Sequence, residues 1–121
     1  MSWSSEIIIV AGYKLDSEIF SAGAEKWENM AFGENGDKSL QKYEDYFIDA
    51  DPICGEGPWF FGKIIRYYDA NSNGFAEELN KIIIDAIDIT EIQKVFHKIF
   101  DDLLPIGFEF KFSKWITGRW I

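Results

Sequence analysis

The chain has 121 residues, of which 47% are apolar, and its 21 acidic and 12 basic side chains give a formal net charge of −9. This length and apolar content predict one folded acidic domain spanning residues 1–121 and exclude an intrinsically disordered chain. The longest unbroken apolar run, Ile7–Ala11, is far shorter than the roughly 20 residues of a membrane span, and no secretory signal pattern is present, so we expect a soluble, cytoplasmic protein.

The first part of the chain predicts a strand followed by a helix. The β-branched segment Glu6–Tyr13 is typical of a buried strand. Asp16 or Ser17 can cap a helix that ends near Gly33, because both side chains can accept a hydrogen bond from the backbone N–H groups of a first turn. Apolar residues at helical spacing give this helix one buried face: Phe20, Ala24, Trp27 and Ala31.

Residues 33–57 are predicted to form an irregular, acidic loop that contains a short helix over Ser39–Asp45. The glycines and prolines of this segment interrupt any longer element. Five acids lie between residues 44 and 56 with no base among them: Glu44, Asp45, Asp49, Asp51 and Glu56. A loop of this length in a small domain is usually functional or mobile.

The segment after the loop predicts a strand over Trp59–Tyr68, in which Gly62 indicates a bulge or a close approach of two backbones. The pattern of Phe75–Ile89 fits both a helix and a strand, and we favour a helical turn near Phe75 followed by a strand over Lys81–Ile87.

The last part of the chain predicts a helix and a strand. Thr90-Glu91-Ile92-Gln93 matches a capping box, so a helix is expected from there to Pro105, and alternating phenylalanines predict a strand over Phe108–Phe112. The resulting order β-α-(loop)-β-β-α-β predicts an α+β fold with two helices on one face of an antiparallel sheet, of which the ferredoxin-like motif is one form.

The sequence carries no strong signature of an enzyme, a metal site or a cofactor site. Asp69–Gly74 resembles the start of a calcium-binding loop, but position twelve is Asn80, and a polar turn is the preferred interpretation. The single His97 precedes Asp101 by one helical turn, which favours an exposed pair, and the single Cys54 excludes a disulfide framework. We therefore expect a non-enzymatic protein without a metal or a cofactor.

The acidic segment is the first candidate binding site. Aromatic side chains framed by charge are typical of protein interfaces, and negative charge attracts a basic partner, such as a protein that handles nucleic acid, and disfavours direct binding to nucleic acid. Toxin-neutralising immunity proteins and phage-encoded inhibitors of defence systems have this general profile, as an analogy of type only. The predicted contact residues are Tyr43, Glu44, Asp45, Tyr46, Phe47, Asp49, Asp51 and Glu56. The competing interpretation is that the aromatics pack inward and the acids only keep the protein soluble.

A second hypothesis is a module that binds or sequesters a nucleotide-like small molecule near the C-terminal residues. Tryptophans could stack on a base while basic side chains contact phosphate, and the predicted set is Arg66, Lys114, Trp115, Arg119 and Trp120. A structural role in an assembly of identical subunits is also left open.

Overall fold

Among the residues that the structure describes, four antiparallel strands form one sheet. In a computed structural model of the protein, the described residues are 5–51, 57–69, 86–105 and 110–120. The strands are β1 (Ser5–Leu15), β2 (Phe47–Asp49), β3 (Trp59–Asp69) and β4 (Ser113–Trp120). Their order across the sheet is β2-β3-β1-β4. The helices are α1 (Ser17–Phe32), a 3-10 helix (Lys38–Tyr46), α2 (Ala86–Phe100) and a short 3-10 turn (Asp101–Leu103). Neither of the α-helices in these ranges is long and apolar enough to cross a membrane.

The predicted α+β class is confirmed, and the described elements follow the β-α-β-β-α-β order of the ferredoxin-like motif. The central strand β1 pairs with β3 along one edge and with β4 along the other. The short β2 pairs only with Trp59–Phe61 of β3. Among the described strands, the rest of that β3 edge therefore has no neighbour.

Helix α1 begins and ends where its local signals predict. The Asp16 carboxylate accepts a hydrogen bond of 2.8 Å from the Ile19 backbone N–H, which caps the first turn. The Gly33 N–H donates to the Asn29 carbonyl oxygen at the other end. Gly23 lies inside this helix because a Cβ atom there would overlap the ring of Phe100, which belongs to α2.

The predicted strand over Lys81–Ile87 is wrong where it can be compared, because residues 86 and 87 belong to α2, and residues 81–85 lie outside the described part. The prediction that a capping box at Thr90 starts this helix is also wrong. Thr90 is inside the helix, and its hydroxyl donates to the Ala86 carbonyl oxygen at 2.9 Å instead of capping a new first turn. Asp88 supplies the acid that the positive end of the helix dipole favours.

The predicted C-terminal strand is displaced along the chain. Residues 110–112 are not in a strand, and β4 begins at Ser113, whereas residues 106–109 lie outside the described part. The predicted helical turn near Phe75 and most of the polar turn after Asp69 also lie outside it. For Phe110 and Phe112 the alternation reflects packing and not strand pairing: the Phe110 ring centroid lies 6.1 Å from that of Phe96, and the Phe112 ring centroid lies 5.5 Å from that of Tyr13.

The 33–57 segment is more regular than predicted. The short helix is confirmed as the 3-10 helix, which Asp37 caps by accepting a hydrogen bond of 2.9 Å from the Ser39 N–H. Strand β2, which follows it directly, was not predicted, because three residues are too few to show a period. Residues 52–56 lie outside the described part.

Buried side chains cover both faces of the sheet. The helix-side core joins α1, α2 and one sheet face, and it includes the fully buried rings of Phe61, Phe96 and Phe100. The second cluster contains Ile8, Val10 and Phe60. Because successive strand residues point to opposite faces, Val10 and Phe60 lie on the face opposite to Ala11 and Phe61.

Glycine allows β1 and β3 to approach closely at the centre of the sheet, and the close approach predicted from Gly62 is confirmed. Gly12 pairs with Gly62, and a Cβ atom on either residue would lie little more than 2 Å from a backbone oxygen of the other strand. The bulge of this strand pair lies further along, where the register shifts between Ile9 and Val10.

Candidate functional site

A groove of about 740 Å³ lies at the edge of β3 that the short β2 does not cover. We call it the edge groove. Consecutive residues of β3, Lys63 and Ile64, both line it although they point to opposite faces, so the groove wraps around the sheet edge. Its lining residues come from the 3-10 helix, β2 and β3: Lys42, Glu44, Asp45, Tyr46, Phe47, Ile48, Asp49, Lys63, Ile64 and Tyr67. The sequence predicted five of these as contact residues.

Both lysines of the edge groove are already held by acids of α2. Lys42 Nζ lies 3.4 Å from Glu91 Oε1, and Lys63 Nζ lies 3.1 Å from Asp88 Oδ1. These ion pairs join the 3-10 helix and β3 to α2, and each leaves its lysine with little positive charge to offer the groove. The charge of the groove is therefore set by its acids.

Two of those acids are exposed and uncompensated. Within the described part of the chain, Glu44 and Asp45 form no ion pair or side-chain hydrogen bond. Asp49 also lines the groove, but its carboxylate accepts a hydrogen bond of 2.9 Å from the Asp51 backbone N–H and so shapes the end of β2. Glu44 and Asp45 are the acids best placed to meet a partner, while Glu56 lies outside the described residues.

The three predicted aromatic contact residues pack mainly inward. Tyr43 is buried, and its hydroxyl donates to Glu91 Oε1 at 2.7 Å. Tyr46 and Phe47 are half-buried, with ring centroids 5.7 Å and 5.1 Å from that of Phe61. Burial, followed by the nearby charge of Glu91, raises the pKa of Tyr46 to about 12. These rings mainly fix the 3-10 helix, and Tyr46 and Phe47 show only part of their surface to the groove.

Tyr67 is the exposed aromatic residue of the edge groove, and sequence reasoning missed it. Its side chain is 58% exposed, beside Ile64. No local pattern marks this exposure, because it depends on where β2 stops pairing with β3. An aromatic ring beside uncompensated acids is the arrangement that the sequence assigned to Tyr46 and Phe47.

The alternative small-molecule set is divided between the two faces of the sheet. Lys114 pairs with Ala11 and Trp115 with Val10, so the two side chains point to opposite faces. The Trp115 indole N–H donates to the Gly12 carbonyl oxygen at 2.9 Å, and its ring packs against the second cluster. Arg66 is exposed on β3, two strands away from β4, and the side chains of Arg119 and Trp120 lie outside the described part.

The remaining candidates for chemistry contribute no catalytic arrangement among the described residues. His97 Nδ1 lies 2.8 Å from Asp101 Oδ1 on the exposed surface of α2, which confirms the predicted pair. In the described ranges, no three metal-ligating side chains come together. Cys54 lies outside those ranges, as does most of the loop that resembles a calcium site, which begins at Asp69.

Comparison with known proteins gives no relative on which to base a function: no protein-family model, curated protein or solved structure matches this chain.

Proposed function

We propose that this chain is a non-enzymatic binding protein that inhibits a basic protein partner by covering part of its positive surface with the edge groove. The observation that carries the proposal is the charge of the groove. Glu44 and Asp45 are uncompensated, whereas both lysines of the groove are paired with acids of α2. A basic side chain of a partner would gain an ion pair there without displacing an existing one.

Tyr67 supplies the apolar contact that charge alone does not. Interface affinity usually depends on a few aromatic or arginine contacts that exclude water, while charges at the rim govern encounter rate and salt dependence. The exposed Tyr67 ring and Ile64 give such a contact surface next to the acids. A partner arginine lying over the tyrosine ring could bind both features at once.

The partner class follows from the sign of the charge. Proteins that handle nucleic acid carry the basic surfaces that such a groove would cover, and covering one would block access of the nucleic acid. The role would correspond to that of an immunity protein or a phage-encoded inhibitor of a defence system, acting in the cytoplasm.

The test is a comparison of three proteins as capture reagents in lysate of the native host at low and moderate salt. They are the natural protein, the double variant Glu44→Lys with Asp45→Lys, and the control Glu28→Lys. Glu28 is an exposed acid of α1 that does not line the edge groove, so the control makes the same kind of charge change elsewhere.

We expect the natural protein and the control to retain the same basic protein at low salt, and the double variant to lose it. Retention should fall as salt rises, because exposed charges are screened. Equal retention by the double variant, or retention of acidic proteins only, would contradict the proposal. A Tyr67→Ala variant separates the two contributions, since it should weaken capture while preserving its salt dependence.

A further inference from the structure

A second cavity, of about 590 Å³, separates the 3-10 helix from α2 and lies next to the edge groove. We call it the helix cleft. The 3-10 helix forms one wall and the exposed side of α2 the other. Its lining residues are Ser39, Leu40, Lys42, Tyr43, Ala86, Thr90, Glu91, Lys94, Val95 and Lys98. Three lysines and one acid therefore surround this cavity, although the chain as a whole carries a net charge of −9.

The floor of the helix cleft is apolar and rigidly held. Leu40 and Val95 are only 3% and 5% exposed, so they belong to the core and present just an edge to the cavity. The Trp27 indole N–H donates to the Leu40 carbonyl oxygen at 2.7 Å, which ties this point of the 3-10 helix to α1. A fixed apolar floor suits a flat apolar group better than a hydrated ion.

Two lysines stand together at one end of the helix cleft. Lys94 and Lys98 are one turn apart on α2, where like charges repel and slightly destabilise the helix. Lys94 forms no ion pair with any residue in the described ranges. Lys98 Nζ lies 3.9 Å from Asp37 Oδ2, and both side chains are about half exposed, so this contact is weak. A bound anion would relieve the repulsion by contacting both ammonium groups.

The charges at the other end of the helix cleft are already paired with each other. Glu91 accepts a hydrogen bond from the Tyr43 hydroxyl and pairs with Lys42. The hydrogen bond from Tyr43, more than the charge of Lys42, lowers the pKa of Glu91, which keeps this carboxylate ionised at neutral pH. The cleft thus has one end at which a lysine and an acid are paired with each other and one end with two lysines, so an anionic group is directed towards Lys94 and Lys98.

We propose that the helix cleft binds a phosphate monoester with a flat aromatic or apolar body. The phosphate lies between the ammonium groups of Lys94 and Lys98, and the body lies on the floor formed by Leu40 and Val95. Lysine is a regular phosphate ligand, and two lysines one turn apart can share the oxygens of a single phosphate. This site shares Lys42 with the edge groove, but its two phosphate ligands, Lys94 and Lys98, do not line that groove, so the proposal does not depend on the proposed protein-binding function.

The experiment uses phenyl phosphate as the probe and follows backbone amide shifts by NMR during titration. Inorganic phosphate tests the charge alone, and phenol tests the ring alone. The double variant Lys94→Ala with Lys98→Ala removes the positive end, and the side chains of both lysines are exposed, so the fold should tolerate the change. Lys111→Ala, an exposed lysine that does not line the cleft, is the matched control.

We expect shifts at Leu40, Lys94 and Lys98 with phenyl phosphate, and an affinity for phenol and inorganic phosphate at least about tenfold weaker. The double variant should bind phenyl phosphate about tenfold or more weakly, whereas Lys111→Ala should bind it unchanged. Three results would each overturn the proposal: no shift at about 10 mM probe, equal binding of inorganic phosphate and phenyl phosphate, or unchanged affinity in the double variant.

Discussion

Replacement of Gly62 by alanine tests the close packing of the two central strands. A Cβ atom at this position would lie 2.1 Å from the Ala11 carbonyl oxygen and 2.8 Å from Gly12 Cα. Both are backbone atoms of β1, so no side chain can rotate away to make room. Strand β1 is also paired with β4 on its other edge, and a movement away from β3 would disturb that pairing as well.

The expected cost follows from these distances. Non-bonded heavy atoms normally approach to about 3.5 Å, so the strands would have to separate by roughly 1 Å at this point. Such a separation breaks about two hydrogen bonds worth about 1 kcal/mol each, and overpacking adds about 1–3 kcal/mol. Alanine recovers about 0.5–1 kcal/mol by restricting the unfolded chain. We therefore expect Gly62→Ala to lower the free energy of unfolding by about 3 kcal/mol.

Urea unfolding followed by tryptophan fluorescence measures this change, and Gly118→Ala is its control in the same sheet. A Cβ atom on Gly118 would have no neighbour within 4 Å, so the control should stay within about 0.5 kcal/mol of the natural protein. If Gly62→Ala were as stable as Gly118→Ala, the reasoning from the close approach of β1 and β3 would be refuted.

Four further predictions concern polar groups of the site and the sheet. Tyr43→Phe removes the hydrogen bond to Glu91 and should cost about 1 kcal/mol in urea unfolding. The pKa of Glu91 in the folded protein lies below its ordinary 4.5. The ionised carboxylate therefore contributes its full stabilisation above pH 4.5 and loses it as the pH falls through the folded pKa. The stability difference between the natural protein and Glu91→Gln should accordingly shrink in acid. An unchanged difference from neutral pH to strong acid would contradict this. Burial raises the pKa of Tyr46 to about 12, so Tyr46→Phe should remove a tyrosine step near that pH from an ultraviolet titration of the folded protein. Because this folded pKa lies above the ordinary 10, the natural protein should lose stability as the pH rises above 10. Trp115→Phe removes the hydrogen bond to the Gly12 carbonyl oxygen and should lower the free energy of unfolding by about 1–2 kcal/mol.

The fold could be predicted where a signal is local. Asp16 and Gly33 define the ends of α1 through hydrogen bonds within one turn, and both were predicted. The start of α2 could not be predicted in this way, because Thr90-Glu91-Ile92-Gln93 has the residues of a capping box while the helix has already begun at Ala86. The hydroxyl of Thr90 can bond forwards as a cap or backwards within a helix, and tertiary packing decides between the two.

The candidate site could likewise be predicted only where its residues are neighbours in the sequence. The acids of the edge groove stand next to each other in the sequence, so Glu44 and Asp45 were recognised from charge alone. The exposed position of Tyr67 depends on where β2 stops pairing with β3, which is a relation between distant segments. The inward packing of Tyr43 likewise depends on Glu91, which no local pattern connects to it.

The central position of β1 has a consequence for how the protein reaches its fold. Ile8 pairs with Tyr67 on one side and with Thr117 on the other, so the strand nearest the start of the sequence needs partners from its middle and its far end. Contacts of such long sequence separation slow folding. During synthesis, the isoleucine-rich edge of β1 must wait for β4 to emerge from the ribosome. In that interval, β1 is the segment at which a nascent chain would most readily associate with another or engage a chaperone.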